Sequence, residues 1–217
     1  MTTSCRRCPR LAGFLDEVRQ AEPDYYAQPV PSFGYAQARL LIVGLAPGMH
    51  GANRTGRPFT GDYAGNLLYS TLHKFGFASR AEPLDAAGKA NAELMLSDCR
   101  ITNAVRCLPP QNKPEPAEVR QCNSYLAAEL AELPQGAAVL ALGTVAHQAV
   151  LRAMGLRARD YGFAHGARHP LPNGMVLYDS YHCSRYNTQT KRLTEAMFHE
   201  VFSAIIHCLD QSNRIRS

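Results

Sequence analysis

Apolar positions along this chain follow two rhythms that take turns. Arg39–Leu45 (RLLIVGL) and Ala137–Leu142 (AAVLAL) are near-continuous apolar runs of strand length, which predict strands buried on both faces. Cys99–Val105 (CRITNAV) and Met175–Tyr181 predict two more strands. Around them the apolar residues step at helical spacing. Leu11, Phe14, Leu15 and Val18 form one stripe, and Leu67, Leu68, Leu72 and Phe75 form another within Tyr63–Phe75. Val119, Cys122, Leu126 and Leu130 mark a helix over Ala117–Leu133, and a further helix follows Leu142 through Met154. Leu193, Met197, Val201, Ile205 and Leu209 step every four residues down a last helix. Strands alternating with helices predict an α/β fold, a parallel sheet covered on both faces. In such folds the site lies beyond the carboxyl ends of the strands. Here that means the segments after Leu45, around Asn103–Cys107, after Gly143 and at Tyr181–Asn187. Ala78–Asp98 and Gly155–Gly174, rich in Gly, Pro and charge, are predicted to be long surface connections.

Composition narrows the class. At 217 residues the chain has the length of one domain, residues 1–217, and it contains no internal repeat. With 46% apolar and 19% charged residues it has material for a core and does not resemble a disordered tail. No apolar run is long enough for a bilayer, and the first residues (MTTSCRRCPR) lack the apolar core of a secretory signal. The expectation is a soluble, cytoplasmic protein. The formal charge is +5, and 19 of the 23 cationic residues are Arg. That fits a polyanionic partner and fits an Arg-rich composition equally well. The basic tail, residues 213–217, reads as solvated. Seven cysteines in a chain of this size point to metal ligands, reactive thiols or core residues rather than disulfides.

Three groups of residues carry candidate chemistry. Gly44–Asp62 (GLAPGMHGANRTGRPFTGD) is rich in glycine but lacks the ending of a P-loop and the spacing of a dinucleotide fingerprint. It reads as a loop that lets a ligand approach the backbone, or as an irregular connection. Tyr181–Asn187 (YHCSRYN) sets a His at a strand end beside Ser, Arg, Tyr and Asn. A His there can donate to developing charge, and its polar neighbours suit a phosphate backbone; a cap or core role is the other reading. Cys5 and Cys8 form a C-x-x-C pair on an N-terminal arm, residues 1–10, and Cys107 and Cys122 flank a Pro-rich loop. Converging, the four could hold an iron–sulfur cluster or Zn²⁺, and spacing does not separate the two. Cys99, Cys183 and Cys208 read as ordinary small residues.

Taken together, Gly44–Asp62, Asn103–Asn112 (NAVRCLPPQN), Ser180–Thr194 (SYHCSRYNTQTKRLT), the lead-in Phe33–Leu41 and the cysteine pattern resemble the type 5 uracil-DNA glycosylases over most of the chain. The resemblance implies a three-layer α/β/α sandwich around a four-stranded, essentially parallel sheet. It implies that Cys5, Cys8, Cys107 and Cys122 hold a [4Fe–4S] cluster. It also implies hydrolysis of the N-glycosidic bond of uracil, hydroxymethyluracil, hypoxanthine or xanthine in double-stranded DNA, leaving an abasic site; the expected state is a monomer. The base would be flipped out of the duplex. Gly44, Ala46 and Gly48 would line its pocket, Phe59 would stack on it, and Asn103 would read its edge. His182 would donate to the base oxygen, and Ser184, Arg185, Tyr186 and Asn187 would enter the DNA near the vacated stack. The first motif carries Ala46 and Pro47, with no polar side chain, so Asp62 is the carboxylate left to place a water; its other reading is the N-cap of the next helix. Two departures from the family pattern stand out: Cys183 where relatives often carry Pro, and Gly48-Met49 where two small residues are usual, which would alter the pocket wall. Two other functions compete: a module that recognises uracil or abasic sites without turnover, and a redox iron–sulfur protein that binds DNA.

Overall fold

The computed structural model describes the backbone of residues 4–214 and the side chains of residues 4–211. The start of the N-terminal arm and the basic tail side chains therefore lie outside the described residues. The four predicted strands form as β2 (Leu40–Gly44), β3 (Cys99–Asn103), β4 (Ala138–Leu142) and β6 (Val176–Ser180), all mutually parallel. The sheet has two more strands, and its order is β1-β3-β2-β4-β6-β5. β1 (Phe33–Gly34) and β5 (Arg168–Pro170) pair antiparallel with β3 and β6 at the two edges. They correct the four-strand expectation and the expectation that Gly155–Gly174 is only a connection. At two and three residues they are too short to show a period, and β5 contains Pro170, which is tolerated only at an edge. In β1 only glycine fits at position 34: its φ is +106°, and a Cβ there would overlap the Cys99 carbonyl.

Alternation along the buried strands sends side chains to two faces. Leu40, Ile42, Leu140, Leu142 and Tyr178 face α3 (Tyr63–Lys74) and α7 (Glu195–Arg214), packing on Leu68, Leu72, Phe198, Phe202 and Ile205. Leu41, Val43, Val139, Ala141 and Leu177 face α4 (Pro116–Ala131) and α5 (Thr144–Ala153) through Leu126, Leu130, Val150 and Leu151. The expected layering is thus present. A third, smaller cluster joins α1 (Pro9–Ala21), through Leu11, Leu15 and Val18, to Val105 and Leu108 beyond β3. α1 and α4 both begin with proline at their first position. α4 adds a reciprocal capping box, in which the Glu115 amide donates to Glu118 at 2.7 Å. Glu118 also takes a bidentate pair from Arg10 of α1, at 2.8 and 2.7 Å. That contact ties the arm to the loop it must meet.

The connection before β3 is not loose. Leu94 and Leu96 are buried in the core. Arg57 of the glycine-rich loop donates to the Asn91 carbonyl at 2.8 Å and the Pro83 carbonyl at 2.6 Å, and Arg54 reaches the Gly88 carbonyl at 3.1 Å. Two arginines thereby lash that connection to the loop following β2.

Leu140, at the centre of the sheet, is fully buried. Leu140→Ala is expected to cost about 2–5 kcal/mol of stability. Chemical denaturation should show a lowered midpoint with an unchanged slope.

Candidate active site

β2, β3 and β6 end at the same edge of the sheet, and their ends frame a pocket of about 450 Å³. The register pairs Gly44 with Asn103. A Cβ at Gly44 would come within 2.6 Å of the Phe59 ring and overlap the Asn103 side-chain oxygen. The missing side chain is what lets ring and amide close over the strand ends. Asn103 is only 5% exposed, and its Oδ1 has no partner within the protein. An orphaned buried acceptor at a pocket wall is costly unless a ligand or water satisfies it.

Phe59 adopts φ +56°, a left-handed conformation that costs a non-glycine residue on the order of 1–3 kcal/mol. Its surroundings enforce this. Gly65 of α3 leaves room for the Phe59 carbonyl, where a Cβ would overlap it. Tyr69 donates to the Pro58 carbonyl at 2.8 Å, and Arg57 Nε donates to the Thr60 hydroxyl at 3.0 Å. The Phe59 ring lies near-parallel to His182, with centroids 5.9 Å apart and planes 26° apart. Burial pulls the His182 pKa down to about 4, so the imidazole is neutral at pH 7.

Asp62 stands at the N-cap position of α3, but its side chain caps nothing there. The carboxylate turns the other way, accepting from Ala52 N at 3.1 Å and from the Gly48 amide. A Cβ at Gly48 or Gly51 would overlap it, so these glycines make room for the carboxylate. Burial raises its pKa; the two amides, Arg54 and His50 oppose the shift but do not cancel it. The sequence left water-placing and capping of α3 both open for Asp62; the side chain does not cap α3 and instead accepts the amide that opens the short helix α2 (Ala52–Thr55).

Of the predicted residues, the pocket brings together Ala46, Gly48, Phe59, Asp62, Asn103, His182, Ser184 and Arg185, with Gly44 packed behind Asn103 and Phe59. Tyr186 and Asn187 lie on α6 (Arg185–Gln189), outside the wall. Ser184 caps that helix, accepting from Asn187 N at 3.4 Å, and the Asn187 side-chain Nδ2 donates to the His182 carbonyl at 2.8 Å. Both thus help to hold the loop. Arg185 stacks over Tyr63 at 5.0 Å, and Tyr186 is 70% exposed. Tyr63 and Asn112 also line the pocket, and sequence reasoning gave them no role. Asn112 closes the Asn103–Asn112 motif, a signal that could have found it. Met49 packs instead with the α1 cluster, so of the Gly48-Met49 pair only Gly48 touches the pocket. Cys183 is fully buried in the core.

Cys5, Cys8, Cys107 and Cys122 line a separate hollow between the N-terminal arm and α4. Burial and the crowding of the other sulfurs push the Cys107 thiol up to about 12, a state that a bound cation would reverse. Among the described residues, the group of three or more ligand types within 4.8 Å of one another is His147, His169 and Asp179, not these cysteines. Four cysteine sulfurs around one hollow are a donor set that thiolate-bound metals take.

Phe59→Ala opens the pocket over His182. The His182 pKa is expected to rise from about 4 towards 6.5, measured by NMR titration of its ring protons.

Residues 31–206 match the Uracil DNA glycosylase superfamily. The chain is 49% identical to the type-5 uracil-DNA glycosylase of Thermus thermophilus over 205 residues, covering 92% of this chain and 91% of that protein. It is 45% identical to the type-5 enzyme of Mycobacterium leprae (91% of this chain, 88% of that one) and 40% identical to that of Pyrobaculum aerophilum (91% and 86%). With four parallel central strands, a pocket at their carboxyl ends and these matches over nearly its whole length, the chain belongs to the uracil DNA glycosylase superfamily.

Proposed function

We propose that this protein is a monofunctional DNA glycosylase that hydrolyses the N-glycosidic bond of uracil and other deaminated bases in double-stranded DNA. The observation that carries the reading is one pocket holding a neutral His182, an unpartnered Asn103 oxygen, the Phe59 face and the Asp62 carboxylate. A base flipped from the duplex presents a flat face to Phe59 and a donor edge to Asn103 Oδ1. As the C1′–N bond breaks, its electron pair moves onto the base, and charge gathers on the base oxygen. His182 donates a hydrogen bond to that oxygen from a neutral ring, with no proton transfer needed. Asp62 places the attacking water. The water oxygen bonds to C1′, and the carboxylate, made more basic by burial, accepts the released proton.

Ser184, Arg185, Tyr186 and Asn187 form the DNA-facing loop. Arg185 and Tyr186 project from it, while Ser184 and Asn187 keep it in place. The +5 charge suits the phosphates. Cys5, Cys8, Cys107 and Cys122 would hold a [4Fe–4S] cluster. When bound, it supplies metal–sulfur bonds that tie residues 1–10 to the body of a single domain, 1–217, working as a cytoplasmic monomer. Among the described residues no helix is long and apolar enough to cross a membrane.

The test is single-turnover base release from a uracil-containing duplex. His182→Ala is expected to slow it by roughly 10²–10³-fold. Asp62→Asn should slow it with duplex affinity retained; an unchanged rate would remove Asp62 from the chemistry. Tight uracil-duplex binding without release by the wild type would favour a recognition module.

Cys107→Ser is expected to abolish the visible absorption of a cluster and lower Tm by roughly 5 °C or more, at about 2–4 °C per kcal/mol for a chain of this size. A variant without visible absorption and with wild-type Tm would show that no stabilising cluster is held there.

A further inference from the structure

Behind the pocket lies a second polar group that the chemistry above does not use. His147 of α5, Asp179 of β6 and His169 of β5 meet between the sheet and α5. Asp179 is fully buried and His147 is 1% exposed. His147 Nδ1 lies 2.8 Å from Asp179 Oδ1, and His147 Nε2 lies 2.9 Å from the Tyr161 carbonyl. The Tyr161 carbonyl accepts only, and so does Asp179 while it is ionised. A neutral imidazole has one N–H, so beside an ionised Asp179 it would leave one contact with two facing lone pairs. With Asp179 ionised, both contacts form together only on an imidazolium. The second Asp179 oxygen takes His169 Nε2 at 3.2 Å, so the carboxylate is held from both sides.

These residues anchor the segment that follows α5. Tyr161 supplies the carbonyl, and the Phe163 ring meets His147 edge-on at 5.6 Å. Gly166 N donates to the Asp179 carbonyl at 2.8 Å, and Asp179 N donates to the Ala167 carbonyl at 3.0 Å. The same loop delivers His165, which stacks on Tyr181 at 5.1 Å and accepts from Tyr181 N at 3.2 Å. Tyr181 immediately precedes His182.

We infer that His147, Asp179 and His169 form a charged latch that fixes the Tyr161–Ala167 loop against β6 and, through Tyr181, positions His182. The three are positioning residues, and none lines the pocket. The groups facing His147 are Asp179 from β6, His169 from β5 and Tyr161 from the loop. Burial alone would lower the His147 pKa, but the Asp179 contact and charge and the Tyr161 carbonyl outweigh it, so it is raised above 6.5. The latch is therefore fully formed below that unfolded-state value and is lost as pH rises through the folded-state pKa.

The effect on excision rests on the proposed function; the protonation state and the structural coupling do not. The test is ¹⁵N NMR of the histidine rings of the intact protein against pH, with single-turnover base release alongside. We expect both His147 nitrogens to be protonated at pH 7. The amide signals of Tyr181 and His182 should move with the His147 midpoint, and excision should fall through it. His147→Gln is expected to slow excision roughly 10–100-fold with duplex affinity kept and to remove that alkaline limb. An unprotonated His147 nitrogen at pH 7, Tyr181 and His182 amides that ignore the midpoint, or a stoichiometric divalent ion lost in His147→Gln would each overturn the latch. If His147→Gln does not fold, the wild-type titration decides. If the wild type releases no base, the glycosylase reading fails, and the NMR arms still judge the latch.

Discussion

The contact across the ends of β2 and β3 is the constraint from which the pocket follows. Parallel pairing sets Gly44 beside Asn103, and the absence of a side chain at Gly44 lets the Phe59 ring and the Asn103 amide meet above it. Any Cβ there would push one of them away. The left-handed backbone at Phe59 is tolerated because Gly65, Tyr69 and Arg57 hold it from three directions. His182 then lies near-parallel to Phe59, and the burial this creates keeps the imidazole neutral. Packing, strain and protonation are consequences of one register.

Electrostatics divides the carboxyl edge of the sheet into unlike compartments. In the pocket, burial lowers the His182 pKa and raises that of Asp62, so both groups lean towards their neutral forms. A few residues away, His147 is pinned between two acceptors and is stabilised as a cation. The difference lies in the partners, not in the residue type: His182 has an aromatic face beside it, and His147 has a buried carboxylate. In the separate cysteine hollow, burial raises the thiol pKa values of Cys8, Cys107 and Cys122, which a bound cation would reverse.

Much of this was legible along the chain. The four central strands lie where they were predicted, β2 and β4 from near-continuous apolar runs, because strands buried on both faces need no polar alternation, and β3 and β6 from strand-forming segments. The edge strands were not legible, since two or three residues carry no period and their pairing comes from the neighbouring strand. Most of the candidate site residues do share one pocket, because they sit at the ends of parallel strands, where topology gathers them. Met49, expected at the pocket wall, packs with α1 because the loop turns after Gly48.

Residue types and spacing by themselves determined the α/β class, the central strands and main helices, the chemical groups available and the family they resemble. Those depend on neighbours within a few residues or on whole motifs. Tertiary structure alone decided that Asp62 faces the Gly48–Ala52 turn instead of capping α3, and that Asn103 keeps an unpartnered oxygen. It alone decided that four cysteines far apart in the chain line one hollow, and that His147 lies between two acceptors while His182 faces an aromatic ring. Each of these is set by distances and burial between residues far apart in the chain, and no local pattern encodes them.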